Sequence, residues 1–280
     1  MNKILKSLLS VAIMSASFAS CSQVDLISDL EAEKKATTVA LQSHSEWPQT
    51  TTVVFATNTL GYYNRAFYMN GNAFTVPVGA YKFYVVNRNG AYDYENLDFG
   101  KLPADSLYYG DVLISSKTSE FETTDEGVKK VLSGKYVARN CGEIFADSTM
   151  LIDVQLGQNV NVTFEKPYKL TTQYKVNGTF TASRDVQNVY VEICDIIGRK
   201  KPNGAVAGGR KVRCVLSCGS ALKNSTKELE HSLTVLGVPQ RGTANIYVRF
   251  KGDDKSIAPE QKSVQYTVKD GVIKLGDITF

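Results

Sequence analysis

Short apolar runs that alternate with a period of two, each closed by turn residues, recur along most of this chain and leave it few folds to choose from. Thr52-Val53-Val54-Phe55-Ala56, Ala66-Phe67-Tyr68-Met69, Ala73 to Val78 and Tyr81 to Val86 read as strands. Asn70-Gly71-Asn72, Gly79 and Asn87-Arg88-Asn89-Gly90 separate them, the first as a hairpin turn. Tyr92 to Gly110 is aromatic and turn-rich and reads as an excursion over a sheet; Glu120 to Lys130 is charged enough for a helical turn or a loop. Met150 to Leu156 and Asn159 to Phe164 resume the alternation. After Pro167 come Tyr168 to Thr181, Asn188 to Cys194, Lys211 to Cys218, Leu229 to Leu236, Ala244 to Phe250, Ser263 to Val268 and Val272 to Phe280. Asp270-Gly271 is a two-residue hairpin turn. Many short strands with almost no helical period predict an all-β chain of antiparallel β-sandwiches. The reading is two domains, 49–166 and 167–280; a single elaborated sandwich is the alternative.

The first residues follow another logic. Lys3 and Lys6 precede an apolar run from Leu8 to Ala19 that is too short to span a bilayer, and small residues lead into Cys21. Phe18-Ala19-Ser20-Cys21 resembles the lipobox of bacterial lipoproteins, with Phe18 where an aliphatic residue is usual. The resemblance implies a signal peptide over 1–20, acylation (palmitate among the chains) on Cys21, and a tether over 21–48. Several acyl chains on one residue anchor stably, since each buried methylene contributes about 0.8 kcal/mol. Ser22, rather than Asp, follows the cysteine, which by the same resemblance points to the outer membrane.

Charge and chemistry exclude several function classes. Without the first twenty residues the chain carries 30 basic against 28 acidic residues, which gives no field for nucleic acid. Hydrophobic residues make up 43%, with 15 Tyr and 12 Phe, enough for a core rather than a disordered stalk. The two histidines are thin material for catalysis: His44 precedes Trp47-Pro48 in a polar stretch, and His231 lies in Leu229-Glu230-His231-Ser232-Leu233, expected opposite a core face. A Cys218–His231 nucleophile pair lacks an orienting third group, so no enzyme is predicted. Cys141, Cys194, Cys214 and Cys218 form no C-x-x-C pair, and neither a metal nor a cofactor is expected. Cys214 and Cys218 fall on one strand face ~13 Å apart, too far to bridge each other. Two readings stay open: a disulfide from Cys194 to Cys214 or Cys218, or small buried free thiols.

Three surface features complete the reading. Gly204 to Gly209 (GAVAGG) lacks the ending of a phosphate loop and reads as a flexible hairpin connection. Arg199, Lys200, Lys201, Arg210, Lys211 and Arg213 flank it as a candidate positive patch for an anionic glycan or partner, or as a solvated loop guarding sheet edges. Tyr92, Tyr94, Tyr108 and Tyr109, together with Tyr62 and Tyr63, lie in turn-rich stretches. They are candidates for a sugar-stacking or partner-binding loop, against packing of a long loop onto its own sandwich.

The lipobox start, the segment Phe74-Thr75-Val76-Pro77-Val78-Gly79-Ala80-Tyr81-Lys82-Phe83 and a second β-rich half opening with Pro167-Tyr168-Lys169-Leu170 resemble fimbrillin-like proteins of Bacteroides-type bacteria. The resemblance implies two transthyretin-like (Ig-like) β-sandwiches, a lipid anchor in the outer membrane at the cell surface, and fimbrial subunits or a host or glycan ligand as partners. Asp105-Ser106-Leu107 and Asp147-Ser148-Thr149 match the O-glycosylation pattern of exported proteins of such bacteria. In that family, stalk subunits are cut by an Arg- or Lys-specific protease near the N-terminus, which opens a groove for a donor strand. This chain departs from the pattern: between Cys21 and Arg65 only Lys34 and Lys35 could be cut. It therefore reads as an uncut anchor, accessory subunit or adhesin, with glycan capture through the loop tyrosines as the alternative.

Overall fold

A computed structural model describes residues 37–42, 52–61, 63–69, 73–164 and 167–280. Cys21, the signal segment, Lys34, Lys35, His44, Trp47, Tyr62 and the Asn70-Gly71-Asn72 turn lie outside the described residues. In chain order the first half contains β1 (Thr37–Gln42), β2 (Thr52–Asn58), β3 (Asn64–Tyr68), β4 (Ala73–Val76), β5 (Gly79–Asn87), β6 (Tyr92–Glu95), β7 (Ala104–Asp105), β8 (Leu113–Ser116), β9 (Ser119–Glu120), α1 (Glu126–Val131), β10 (Lys135–Tyr136), β11 (Phe145–Ser148), β12 (Ile152–Val154) and β13 (Val160–Thr163). The second half contains β14 (Tyr168–Lys169), β15 (Thr172–Thr181), β16 (Val186–Ile197), β17 (Arg199–Lys200), β18 (Lys211–Ala221), β19 (Lys227–Val235), β20 (Arg241–Phe250), β21 (Glu260–Lys269) and β22 (Val272–Thr279).

The first half is layered. A three-stranded sheet in the order β13-β1-β4 packs over a larger sheet in the order β14-β11-β5-β2-β3-β7, with β12 also paired to β5. Val39, Val54, Ala56, Val76, Phe83, Val85, Val162 and Phe164 fill the space between the two. The other face of the larger sheet is buried as well. Val53, Phe55 and Val86 meet Tyr92, Tyr109, Val112 and Ile114 of the excursion, so every residue from Thr52 to Ala56 is out of water. That double burial explains why Val53 to Ala56 is a continuous apolar run rather than an alternating one.

The second half is one sheet in the order β18-β16-β20-β21-β22-β15-β19. Its two outer strands are consecutive in the chain, so the sheet folds over its own core of Phe180, Val191, Ile246, Phe250 and Ile278. The Asp270-Gly271 turn between β21 and β22 has both residues at positive φ, 50° and 73°, the backbone that a two-residue hairpin with right-twisted strands requires. Among the described strands, β1 with β13 and β15 with β22 pair parallel, so these sheets are mixed rather than purely antiparallel. Met150 and Leu151 depart from expectation too. They precede β12 instead of belonging to it and are 87% and 61% exposed.

Chain from the first half is built into the second. Val137 N donates to Arg213 O (2.8 Å), and Thr234 N donates to Arg139 O (2.9 Å), so residues 137–141 bridge β18 and β19. Helix α1 lies on the outer face of the folded sheet, where Val128 and Leu132 pack with Tyr190 and Tyr247.

Candidate functional site

Strand β1 is the first described element and the central strand of its sheet. It pairs antiparallel with β4 (Thr37↔Val76, Val39↔Phe74) and parallel with β13 (Val39↔Val160, Gln42↔Thr163). β-branched residues in Thr37-Thr38-Val39 suit a pleated strand, and the Val39 side chain is fully buried in the core between the layers. Without β1, both β4 and β13 would present unpaired backbone along a floor of Val76, Val160 and Val162. That is the form of a strand-accepting groove, and here the chain's own β1 fills it. From Thr37 to Asn64 the sequence has no Lys or Arg; the next basic residue, Arg65, lies inside β3 between buried Asn64 and Ala66.

The four loop tyrosines do not form one exposed platform. Tyr92 is buried in β6, and Tyr109 is buried with its ring stacked on Tyr84 at 4.5 Å and edge-on to Phe55 at 5.4 Å. The Tyr109 hydroxyl donates to Pro202 O at 3.1 Å, and burial pushes the pKa of both phenols up. Tyr94 is half-buried, accepting from Asn89 N (2.9 Å) and donating to Asn87 O (2.8 Å). Only Tyr108 of the four is exposed. Tyr63 donates to Thr75 O at 3.3 Å. The continuous apolar run in β2 was the signal that something had to cover its second face.

The excursion does shape a cleft. Tyr68, Arg88, Tyr94, Phe99 and Lys101 line a cleft of ≈ 700 Å³. The Arg88 guanidinium lies 4.8 Å from the Phe99 ring centre, Tyr94 meets Phe99 edge-on at 5.0 Å, and Tyr68 donates to Phe99 O at 2.6 Å. Asp98 accepts from Gly100 N and faces Lys101 at 3.4 Å; the backbone N–H and then the lysine hold its carboxyl below the usual range. Aromatic faces beside hydrogen-bonding groups are what a pyranose ring contacts.

The four cysteines among the described residues have free thiols: Cys141, Cys214 and Cys218 are buried, and Cys194 is half-buried. Cys214 pairs in register with Ile193 and points with it into the core, whereas Cys194 points to the outer face and accepts from Asn245 Nδ2 at 3.6 Å. A bridge from Cys194 to Cys214 or Cys218 would have to pass through the sheet, so the structure has the free-thiol arrangement. Burial pushes the Cys194 thiol up to about 11 and those of Cys214 and Cys218 up to about 12.

His231 is not opposite the core. It is level with Val176, on the strand face of Leu229 and Leu233, half-buried. Burial, then the charges of Arg139 and Lys227, holds its pKa below the ordinary value, and the Cys218 thiol donates to Leu216 O instead of meeting it.

Most of the basic residues around the Gly-rich connection are engaged internally. Arg199 pairs with Glu95 at 2.5 Å, Lys211 with Asp195 at 2.9 Å, and Arg213 with the fully buried Glu192 at 2.8 Å. Lys200 and Arg210 donate to the carbonyls of Leu170 and Ser116. Arg199 and Arg210 thereby tie the second half to the first, and Lys200, Lys211 and Arg213 are held within the second. Ser106 and Ser148 of the two O-glycosylation patterns are exposed. Among the described residues, no group of three or more His, Cys, Asp and Glu could hold a metal ion, and no helix is long and apolar enough to cross a membrane.

A candidate adhesin of Bacteroides ovatus superposes with a TM-score of 0.53 at 11% identity, covering 82% of each chain. The fold is fimbrillin-like. Two looser superpositions, both with a TM-score of 0.41, are to the fimbrial anchor protein Mfa2 of Porphyromonas gingivalis and to a candidate polysaccharide-binding protein of Bacteroides thetaiotaomicron. The first, at 10% identity, covers 85% of this chain and 98% of that one; the second, at 12% identity, covers 77% and 76%. No protein-family model and no curated protein matches the sequence. The fimbrillin-like fold was the one that the sequence resemblance implied.

Proposed function

We propose that this chain is a lipid-anchored envelope protein with a fimbrillin-like fold that keeps its first strand and serves at the cell surface as an anchor, accessory subunit or adhesin, without catalysis. The observation that carries this reading is β1 between β4 and β13, with Val39 buried and no Lys or Arg from Thr37 to Asn64. An Arg- or Lys-specific protease acting at Lys34 or Lys35 would leave β1 in place, and one acting at Arg65 would cut β3 and take β2 with it. The groove therefore stays filled, which suits a subunit that ends or tethers an assembly and not one repeated along a stalk. In this reading the lipid on Cys21 faces the outer membrane, and 49–166 and 167–280 are the two structural units.

The test is immunogold labelling of intact cells beside a Cys21→Ala strain, with N-terminal sequencing of the mature protein. Surface gold that the variant sheds into the medium, on a chain that still contains Thr37 to Gln42, is the expected result. Label seen only after permeabilisation would sink the surface role; a mature chain beginning at Ala66 would sink the retained-strand argument.

The cleft at Phe99 favours a second reading, glycan capture. Arg88 and Lys101 would meet polar or acidic substituents of a sugar whose face rests on Phe99 and Tyr94. Phe99→Ala and Tyr94→Ala should each abolish sugar-dependent retention of the protein on a glycan column, at about 1 kcal/mol or more per lost ring contact. Equal retention of both variants and the native chain would remove the cleft from consideration.

A further inference from the structure

Turns are normally tipped with polar residues, yet two tight turns at one end of the first half carry leucine. In the turn after β2, Leu60 N donates to Asn58 Oδ1 (2.8 Å) and Gly61 N to Asn58 O (3.0 Å), which holds Leu60 outward at 80% exposure. In the turn after β12, Gln158 N donates to Gln155 O and Gly157 supplies a φ of 75°, leaving Leu156 at 58% exposure. Register puts both turns at the Gly79 end of β5. Thr59 N donates to Ala80 O, Asp153 pairs with Ala80, and Val154 pairs with Gly79. Exposed Met150 and Leu151 lie farther along β5, in the link between Ser148, level with Tyr84, and Ile152, level with Tyr81, and are not part of this end. Other exposed large apolar residues, such as Leu222 and Ile257, lie in separate loops, as is ordinary for a protein surface.

The chain enters β1 at this same end. Thr37 pairs with Val76, three residues before Gly79, and β13, which follows the Leu156 turn, runs parallel to β1. The second half departs from the opposite end of β5, where β11 pairs with Val86 and leads through β14 to β15. We infer that Leu60 and Leu156 form a lipid-facing pole that rests on the bilayer to which Cys21 is tied. This rests on the lipid-anchor reading, and the geometry supplies its logic. Thr37 is sixteen positions after Cys21, so the entry to β1 at this end can never be farther than about 58 Å from the anchor. A tether of that length holds the pole at a high effective concentration over the membrane, where a patch too small to bind from solution is still occupied. Leucines at the tips can enter the headgroup boundary, and the second half is then directed away from the surface.

The test uses full-length acylated protein reconstituted into phosphatidylethanolamine–phosphatidylglycerol vesicles, with a Cys194→Ser background leaving only buried thiols. A polarity-sensitive fluorophore is placed through Leu60→Cys, Leu156→Cys or Leu222→Cys, the last being an equally apolar position in the β18–β19 turn of the second half. The expected result is a blue shift with quenching by nitroxide lipids at 60 and 156, and neither at 222. Water-like emission at all three positions, on protein whose mass shows the acyl chains and which floats with the vesicles, would overturn the pole while leaving the anchor standing. A chain without acyl mass would fail the anchor, and the pole with it. Shielding at 60 and 156 that depends on protein concentration and not on lipid would assign the patch to a second copy and overturn the lipid assignment.

Discussion

His231 is where the ionic chemistry of this chain can be read most directly. Its folded pKa is held below the ordinary histidine value by burial and by Arg139 and Lys227. The unfolded chain then binds more protons than the folded one once the pH drops below about 6.5, and stability falls with it. The contribution is intact above that pH and is lost on the acid side. Thermal melts of native protein and a His231→Gln variant across pH 8 to pH 5 should therefore diverge: the native midpoint drops more steeply below about pH 6.5, and the variant follows a shallower line. Parallel curves would mean that the histidine is neutral to folding. The position of His231 was legible from alternation alone, because 229, 231 and 233 share a strand face; reading it as opposite the core overlooked that parity. Tyr92 and Tyr109 were visible as aromatics in a turn-rich stretch, but what they bury against was not, since that depends on a partner surface elsewhere in the chain. The free thiols follow the same lesson. Spacing placed Cys214 and Cys218 on one face, yet only the pairing of β16 with β18 shows that Cys194 faces the other way.

Among the elements, α1 shows how a short, locally weak piece is fixed by one residue of the right size. Six residues are too few to be helical without tertiary support. Asp125 caps the helix by accepting from Val128 N at 2.9 Å, and the same carboxylate accepts from Arg249 Nε and Nη2, both at 2.7 Å. Arg249 is 2% exposed, and its guanidinium also donates to the carbonyls of Asp254 and Ile257. The helix can approach this closely because position 127 has no side chain. A Cβ on Gly127 would stand 1.8 Å from Ile257 O and 2.6 Å from Arg249 Nη2. Gly127→Ala, which ought to favour an isolated helix, is expected instead to destabilise the protein by about 1–3 kcal/mol through overpacking. Asp125→Ala should cost about 3–5 kcal/mol, because it strands a buried guanidinium. Urea titrations of both variants would check this, and a Gly127→Ala protein as stable as the native one would show that the helix is not held at that distance. The charged stretch from Glu120 to Lys130 was readable as a helical turn. Its docking was not, since Asp125 and Arg249 are 124 residues apart and nothing local links them. The parallel pairing of β15 with β22 was hidden for the same reason, whereas the Asp270-Gly271 hairpin, whose cause is local, was plain.

For the whole molecule, the question is whether the division near residue 166 separates two bodies that can each stand alone. One core cluster runs from Val53 and Phe55 in the first half to Ile273 and Ile278 in the second, and three pieces of the first half are inserted into the second. Residues 137–141 bridge β18 and β19, β8 pairs with β17, and α1 supplies the carboxylate for Arg249. A fragment comprising residues 167–280 would lose all three at once. Its sheet would keep all seven strands, β17 would lose its pairing with β8, and Arg249 would be left buried without its anion, at about 3–5 kcal/mol. Tyr190 and Tyr247 would lose the cover of Val128 and Leu132, and the gap between β18 and β19 would be open backbone. Set against a total stability of about 5–15 kcal/mol for an ordinary domain, losing the anion alone removes a large share. The fragment is therefore expected to have strand content by far-ultraviolet circular dichroism, little near-ultraviolet signal, and strong dye binding to exposed apolar surface. Adding back residues 113–280 as one chain should restore a cooperative melt, because it returns the helix, the bridging segment and β8 together. A fragment of 167–280 that melts cooperatively would mean that the inserted pieces only decorate a finished domain. The two halves would then be free to move apart, where the inserted pieces would otherwise hold them rigidly together.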